Sequence, residues 1–130
     1  MSENLLFGRY EILEKLGDGG SSEVSRAFDT RMEREVAIKK VASHPRARER
    51  ALREAKTVAS LNHPNIVTLF DFVESSDNYF LIMEYLKGHA LSAILRLKTR
   101  LSEPEVVAVG QQVCRALEYA HANGVIHRDI

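Results

Sequence analysis

Cysteine, tryptophan and an excess of either charge are scarce or missing in this chain of 130 residues. Cys114 is the single cysteine, so an intrachain disulfide is excluded and no Cys/His cluster has the spacing of a zinc site. Lys plus Arg and Asp plus Glu both number 18, so net charge gives no indication of a nucleic-acid partner. The lone cysteine fits a reducing compartment, and we expect a cytoplasmic location.

Long apolar runs are also missing. The first residues, MSENLLFGRYEILEK, lack the basic start and apolar stretch of a signal peptide. No segment reaches the roughly 18 apolar residues of a membrane span, although a longer parent protein could carry an anchor elsewhere. A hydrophobic content of 45% and a charged content of 28% are ordinary for a globular protein, and the length suits one domain with a modest core.

The first part of the chain is predicted to be rich in strands. Alternating or apolar segments predict five strands, at residues 10–16, 23–28, 34–41, 66–73 and 79–85. The last is apolar nearly throughout, which predicts an interior strand. Between the third and fourth strands we predict a helix that Ser43 caps and that runs to about Leu61, with Leu52, Ala55 and Ala59 as its buried stripe.

After Lys87-Gly88 the pattern becomes helical. A short helix is predicted at residues 91–97 and a long one at 103–123, because Ser102 and Glu105 have capping-box spacing and Asn123-Gly124 is a stop signal. The long helix carries an apolar stripe of Val106, Gly110, Val113, Leu117 and Ala120, widened by Val107 and Cys114. The sequence therefore predicts an α+β fold with a break near residues 86–90.

The segment from Gly17 to Ser22, GDGGSS, is rich in glycine. Backbone without Cβ atoms can bring its N–H groups close to phosphate oxygens. A strand rather than a helix is predicted to follow, so a hairpin over a nucleotide fits better than a dinucleotide site, and no Gly-Lys-Ser/Thr sequence of a Walker loop occurs. Taken alone, an ordinary hairpin turn is the commoner explanation.

Lys39 lies in a predicted strand, where successive side chains point to opposite faces of the sheet. Ala37 is therefore on the same face as Lys39, and Val36 and Ile38 are on the other face. An inward lysine is costly unless it meets an anion, such as a phosphate or the carboxylate of Glu54 on the following helix. The ordinary alternatives are a solvated lysine, and a Glu54 that pairs with Arg50 one helical turn away.

Two further segments could take part in ligand binding or catalysis. The strand ending in Met83-Glu84-Tyr85-Leu86 could offer backbone groups to the edge of a base, although it is also an ordinary strand end. In His127-Arg128-Asp129 the carboxylate of Asp129 could accept a proton from a hydroxyl nucleophile. A lone triplet of this kind is common by chance.

The order of these segments is more specific than any one of them. A glycine-rich hairpin, Val-Ala-Ile-Lys, a helix with Glu54, HPNIV, a strand ending in MEYLKG and finally VIHRDI follow one another. This order resembles that of the protein kinase family, and the residues of the motifs are most similar to those of the eukaryotic-like serine/threonine kinases of bacteria. The resemblance implies an N-lobe with a five-stranded antiparallel sheet and one helix, followed by the first helices of an incomplete helical C-lobe.

The resemblance also implies roles for individual residues. Lys39 would bind the α- and β-phosphates of ATP and pair with Glu54, and Met83 would be the gatekeeper. Asp129 would accept the proton of the substrate hydroxyl, with His127 as a scaffold and Arg128 facing a phosphorylated activation segment. The implied catalytic residues are Asp129, Lys39 and Glu54, and the implied nucleotide-binding residues are Leu16, Gly17, Asp18, Gly19, Val24, Ala37, Lys39, Met83, Glu84 and Leu86.

Two departures limit what the resemblance implies. Ser22 replaces the third loop glycine, which we expect to weaken rather than abolish nucleotide binding. The magnesium-binding Asn would lie about five residues past Asp129, and the Asp-Phe-Gly segment further on, so none of the family's Mg²⁺ ligands is in this chain. We therefore expect a truncated kinase domain that is inactive alone and uses ATP and Mg²⁺ in its full-length form.

The expected organisation is an N-terminal extension at 1–9, an N-lobe at 10–86 and the start of a C-lobe at 87–130. The expected partners are ATP and proteins with Ser or Thr hydroxyls, with no nucleic acid and no membrane segment in the residues present. The alternatives are a pseudokinase or truncated nucleotide-binding interaction module, and a structural domain with fortuitous motifs.

Overall fold

The computed structural model describes residues 4–19, 22–42 and 44–126. The chain divides into two compact units, which are described separately. The first consists of Met1–Ser60 and Val67–Tyr85, and the second of Leu61–Ile66 and Leu86–Ile130. The short segment Leu61–Ile66 therefore groups with the later helices rather than with the helix before it and the strand after it.

The first unit contains a six-stranded antiparallel sheet with the order β1-β2-β3-β4-β6-β5. Its strands are β1 (Leu5–Leu6), β2 (Tyr10–Gly19), β3 (Ser22–Asp29), β4 (Arg34–Ala42), β5 (Leu69–Glu74) and β6 (Asn78–Glu84). The five longer strands are those predicted, and β6 lies between two others, as its apolar sequence indicated. The two-residue β1 was not predicted. It forms because Phe7 and Gly8, both at positive φ, turn the chain back so that Leu6 pairs with Tyr10.

Two strand boundaries differ from the prediction by more than one residue. Strand β2 was expected to end at Leu16, but its pairing with β3 continues through Gly17 to Gly19, which pairs with Ser22. Glycine weakens a strand but keeps the backbone groups that pair with the next strand. The turn predicted from the glycine content of this segment therefore began too early. Strand β5 begins at Leu69 rather than at residue 66, because the N–H of Ile66 donates to the carbonyl of His63 in a turn.

Helix α1 (Pro45–Ala59) carries Glu54 and packs against β5. Its N-cap is His44 rather than the predicted Ser43, which lies outside the described residues, and the helix ends at Ala59 rather than near Leu61. The predicted stripe is buried at Ala55, half-buried at Leu52 and exposed at the terminal Ala59.

The core lies on one face of the sheet. It consists of Tyr10, Ala27, Val36, Ile38, Phe80 and Ile82, with Leu6 and Val73 packed against it. Phe7 adds an edge-to-face contact with Phe80, with 5.0 Å between ring centroids. Because Val36 and Ile38 are in this core while Ala37 and Lys39 are not, the period-2 prediction for the strand is confirmed.

Asp29, at the end of β3, is 1% exposed and is the centre of a polar cluster. The guanidinium of Arg9 donates to both carboxylate oxygens, at 2.8 and 2.7 Å, and the backbone N–H groups of Arg31 and Met32 donate to Oδ1 at 3.0 and 3.1 Å. The hydrogen bonds from Arg9, and then those from the backbone, lower the pKa of Asp29 to about 2 although burial opposes this. The cluster fixes the residue before β2 to the turn after β3.

The carboxylate of Asp29 gives the first unit a defined dependence on pH. Its pKa is lowered from the ordinary 3.8 to about 2 in the folded state. A lowered carboxyl pKa stabilises the folded state above the unfolded pKa, and this stability is lost as the pH falls through the folded pKa. Urea unfolding should therefore show a loss of about 2 kcal/mol between about pH 4 and pH 2 through this group, a loss absent from an Asp29→Ala variant. Parallel pH profiles of the two proteins would contradict the assignment.

The second unit contains α2 (Leu91–Lys98) and α3 (Glu103–Ala122). The predicted capping box is confirmed, because Ser102 Oγ accepts the Glu105 N–H at 3.3 Å and Glu105 Oε1 accepts the Ser102 N–H at 3.1 Å. Lys98 donates to the other Glu105 oxygen at 2.6 Å, and this hydrogen bond, followed by those to Ser102, lowers the pKa of Glu105 to about 2.

The segment Leu61–Ile66 is attached to α3 by polar contacts. The N–H of Asn62 donates to Tyr119 Oη at 3.0 Å, and the ring of His63 lies 5.1 Å from the ring of Tyr119. Asn65 Nδ2 donates to Gln112 Oε1 at 3.3 Å. On α3 itself no side chain is buried in the part of the chain that the structure describes, and Val106, Val107 and Val113 of the predicted stripe are exposed.

Replacing Ser102 by Ala is expected to loosen the first turn of α3 by about 1 kcal/mol, because an N-cap acceptor is lost. Amide hydrogen exchange should become about fivefold faster at Glu105 and Val106, whose N–H groups donate to Ser102, and stay unchanged in α2. Ser92→Ala is the matched control, since Ser92 is exposed within α2 and caps no helix end. Equal exchange rates in the Ser102 variant and the parent chain would contradict this role.

Candidate functional site

Five of the residues singled out in the sequence come together on the face of the sheet opposite the core: Gly17, Val24, Ala37, Lys39 and Met83. In the register, Gly17, Val24, Lys39 and Leu81 form one row across β2, β3, β4 and β6. The next row consists of Glu14, Arg26, Ala37 and Met83. Cross-strand partners share a face of an antiparallel sheet, so we define the Lys39 face as Val24, Arg26, Ala37, Lys39, Leu81 and Met83.

The glycine-rich hairpin forms one end of this face. Gly17 pairs with Val24, directly beside Lys39 in the next strand. A Cβ built on Gly17 would meet no atom within 4 Å, so the space beside this backbone is open. The backbones of Asp18 and Gly19 continue the hairpin by pairing with Glu23 and Ser22. Leu16, at the register shift between Lys15 and Gly17 in β2, is 45% exposed.

Lys39 is half-buried and Glu54 is exposed. Among the described residues, no ion pair joins Lys39 to Glu54, and Arg50, the alternative partner of Glu54, forms none with it either. The pairing of Lys39 with Glu54 therefore stays a prediction. In the register, Lys39 is separated from the open backbone of Gly17 only by Val24.

The end of β6 is fixed by Thr68. The N–H of Glu84 donates to the Thr68 carbonyl at 2.9 Å, and Glu84 Oε2 accepts the Thr68 N–H at 3.2 Å. Met83 stands directly beside the buried Ala37 in the register. Leu86, which is 58% exposed, belongs to the second unit, and Asp129, with His127 and Arg128, lies outside the described residues.

A charged cluster on the Lys39 face was not foreseen from the sequence. Arg26 donates from Nε to Glu14 Oε1 at 3.1 Å and forms a second ion pair from Nη1 to Glu35 Oε1. Its guanidinium carbon lies 5.9 Å from the centroid of the Tyr85 ring. Period 2 alone places Arg26 on the face of Val24, but its partners depend on the strand register.

These residues fit a nucleotide. The open backbone at Gly17 and the ammonium group of Lys39 suit phosphate oxygens, and the small side chain of Ala37 lies beside Met83 in the register. In the described ranges, no three His, Cys, Asp or Glu side chains are grouped closely enough to hold a metal ion. No helix within the described residues is both long and apolar enough to cross a membrane.

Comparison with known proteins gives a consistent result. The family model of the protein kinase domain matches residues 10–130. Serine/threonine-protein kinase PrkC of Bacillus subtilis is 39% identical over 127 residues, covering 95% of this chain and 20% of PrkC. Serine/threonine-protein kinase PknD of Mycobacterium tuberculosis is 40% identical over 128 residues, covering 95% of this chain and 19% of PknD. The chain thus spans about a fifth of the length of these relatives.

A solved structure supports the same fold. The crystal structure of Rad53 1-466 in complex with AMP-PNP matches with a TM-score of 0.84 and 28% identity, covering 95% of this chain and 33% of that chain. The fold that the sequence resemblance implied, an antiparallel sheet with one helix followed by further helices, is therefore confirmed.

Proposed function

Because this chain belongs to the protein kinase family, we propose that it is the nucleotide-binding part of an ATP-dependent serine/threonine kinase. Its curated relatives carry that serine/threonine designation. In this proposal residues 1–9 are an extension, 10–86 the N-lobe and 87–130 the start of the helical lobe. The observation that carries the proposal is the row in which Lys39, Val24 and Gly17 stand side by side across three strands.

The nucleotide would lie on the Lys39 face. The N–H groups of the hairpin and the ammonium group of Lys39 bind the phosphates, because preorganised donors and a cation are what a triphosphate requires. The adenine ring lies against Val24, Ala37 and Met83. The residues assigned to the remaining nucleotide contacts are Leu16, Gly17, Asp18 and Gly19 in the hairpin, and Glu84 through its carbonyl and Leu86 through its N–H.

In the complete kinase domain, Asp129 accepts the proton of a Ser or Thr hydroxyl. The hydroxyl oxygen forms a bond to the γ-phosphorus, and the bond from that phosphorus to the bridging oxygen of ADP breaks. Glu54 is assigned to hold Lys39 in place when the pair forms. Mg²⁺ would neutralise phosphate charge, but its ligands are assigned to residues beyond this chain. We therefore propose that the 130 residues alone bind ATP without transferring phosphate, in a cytoplasmic setting where ATP is available.

Thermal unfolding of the chain with and without ATP tests the binding step. ATP at about 100 times its Kd should stabilise the folded state by about 2.7 kcal/mol. Radiolabelled ATP should transfer no phosphate to a generic protein substrate with the 130 residues alone, and should label Ser or Thr when the chain continues through a complete second lobe. Melting that is indifferent to ATP would refute the binding step, and a complete domain without transfer would refute the catalytic step.

One observation favours a second candidate, a nucleotide-binding interaction module without catalytic activity. Active protein kinases need the Lys–Glu ion pair, and in the described residues Lys39 and Glu54 are not joined. This candidate predicts ATP-dependent stabilisation, as the first does, but no phosphate transfer even with the second lobe present.

A further inference from the structure

We propose that Arg26 is a positioning residue that holds the base-binding end of the Lys39 face in shape. The inference rests on the proposed function, because it assumes that adenine lies against Ala37. It adds a residue group, Arg26 with Glu14, Glu35 and Tyr85, that touches no phosphate and is outside the nucleotide contacts assigned above.

The cluster joins three strands and the residue that follows a fourth. Arg26 is on β3, Glu14 on β2 and Glu35 on β4, while Tyr85 directly follows β6. One guanidinium binds both carboxylates and lies within cation–π distance of the Tyr85 ring. One side chain therefore bridges these segments at this end of the face, in addition to the backbone hydrogen bonds between the strands.

The location of Arg26 connects this cluster to the base. Arg26 is directly opposite Ala37 and two residues from Val24, so it borders the place assigned to the adenine ring. Tyr85 follows Glu84, whose carbonyl is assigned to the edge of the base. A shift of Tyr85 or of β2 would therefore change the width of the base pocket.

The contacts favour a geometric role over a large contribution to stability. The side chain of Arg26 is 26% exposed, that of Glu14 53% and that of Glu35 45%, and ion pairs this open to solvent contribute little to folding. A planar guanidinium can bind two carboxylates at a fixed angle, whereas an ammonium group cannot. Hydrogen bonds from Arg26 to Glu35 and then to Glu14 raise the pKa of Arg26, so the guanidinium stays charged.

Adenosine is the most informative probe, because it has a base and no phosphate charge. Its affinity for the 130-residue chain can be measured by the rise in melting temperature over a concentration series. In Arg26→Met the affinity for adenosine should fall about tenfold, and the affinity for ATP by at least as much. Arg26→Lys keeps the positive charge but not the planar set of N–H donors, and its affinity for adenosine should fall about threefold.

Two variants separate position from charge. Arg26→Met combined with Glu14→Gln and Glu35→Gln removes the carboxylates left unpaired, and should still show about a tenfold loss for adenosine. Arg31→Met removes a positive charge from an exposed turn of the same unit and should bind adenosine as the parent chain does. If circular dichroism shows that Arg26→Met does not fold, Tyr85→Leu tests the contact between Arg26 and Tyr85 instead. The affinity of that variant for adenosine should fall about threefold.

Undiminished adenosine binding in Arg26→Met, or in Tyr85→Leu where it replaces that variant, would overturn the positioning role. Full recovery of adenosine binding in the triple variant would also overturn it, since Arg26 would then act only through charge. A parent chain that binds neither adenosine nor ATP would overturn the proposed function and this inference with it. Loss of adenosine binding in the Arg26 variants, beside normal binding by the parent and by Arg31→Met, supports the inference.

Discussion

Replacing Lys39 by Met is expected to abolish most of the stabilisation that ATP gives to this chain. Loss of a cation that faces phosphate should raise the Kd for ATP about 100-fold. At a concentration that stabilises the parent chain by about 2.7 kcal/mol, the variant should then gain only about 0.4 kcal/mol. Adenosine should bind to the variant and the parent equally well, because Ala37 and Val24 are unchanged. Differential scanning fluorimetry with both ligands measures the contrast.

Lys40→Met is the matched control for this experiment. Lys40 is the next residue of β4, is exposed, and pairs with Glu23 and Phe80 in the register rather than with Val24. It loses the same charge from the same strand on the opposite face, so ATP should stabilise it as it does the parent. Normal ATP stabilisation of the Lys39 variant, or equal losses in both variants, would refute the role of Lys39.

Replacing Asp29 by Ala is expected to lower the free energy of unfolding of the first unit by about 3 kcal/mol, because a buried, fully hydrogen-bonded carboxylate is removed. The guanidinium of Arg9 and two backbone N–H groups would lose their acceptor at once. The turn after β3 would keep a weaker attachment to Arg9, because Thr30 Oγ1 donates to the Arg9 carbonyl at 2.6 Å. Urea unfolding followed by circular dichroism measures the change.

Glu49→Ala on α1 is the control for the Asp29 experiment. It removes an exposed carboxylate from the same unit and should change the free energy of unfolding by less than about 0.5 kcal/mol. Glu33, which is closer to Asp29, is less suitable, because its φ of 53° means that a substitution would also change backbone strain. An Asp29 variant as stable as the Glu49 variant would contradict the role of Asp29.

Much of the fold follows from local patterns in the sequence. Val36 and Ile38 alternate with Ala37 and Lys39, and this period of 2 assigned each pair to its face correctly. The capping box of Ser102 and Glu105 fixed the start of α3, because it depends only on residues three apart.

Features that depend on register or on short contacts were not predictable. Strand β1 has two residues, too few for any period to show, and the turn at Phe7 and Gly8 creates it. The partners of Arg26 are 12 and 9 residues away along the chain, so they meet only through the alignment of three strands. The sequence left two possible partners for the carboxylate of Glu54, Lys39 and Arg50, and contained nothing that favoured one over the other.

The most direct test of the central claim is chemical labelling of the chain with an acyl phosphate of ATP, which transfers its acyl group to a lysine beside the bound phosphates. Mass spectrometry of the peptides then identifies the labelled lysine. We predict that Lys39 carries the label and that excess ATP protects it, while Lys40 on the opposite face stays unlabelled. Labelling that spreads over Lys40 and other exposed lysines, without protection by ATP, would contradict the assignment of the Lys39 face as the nucleotide site.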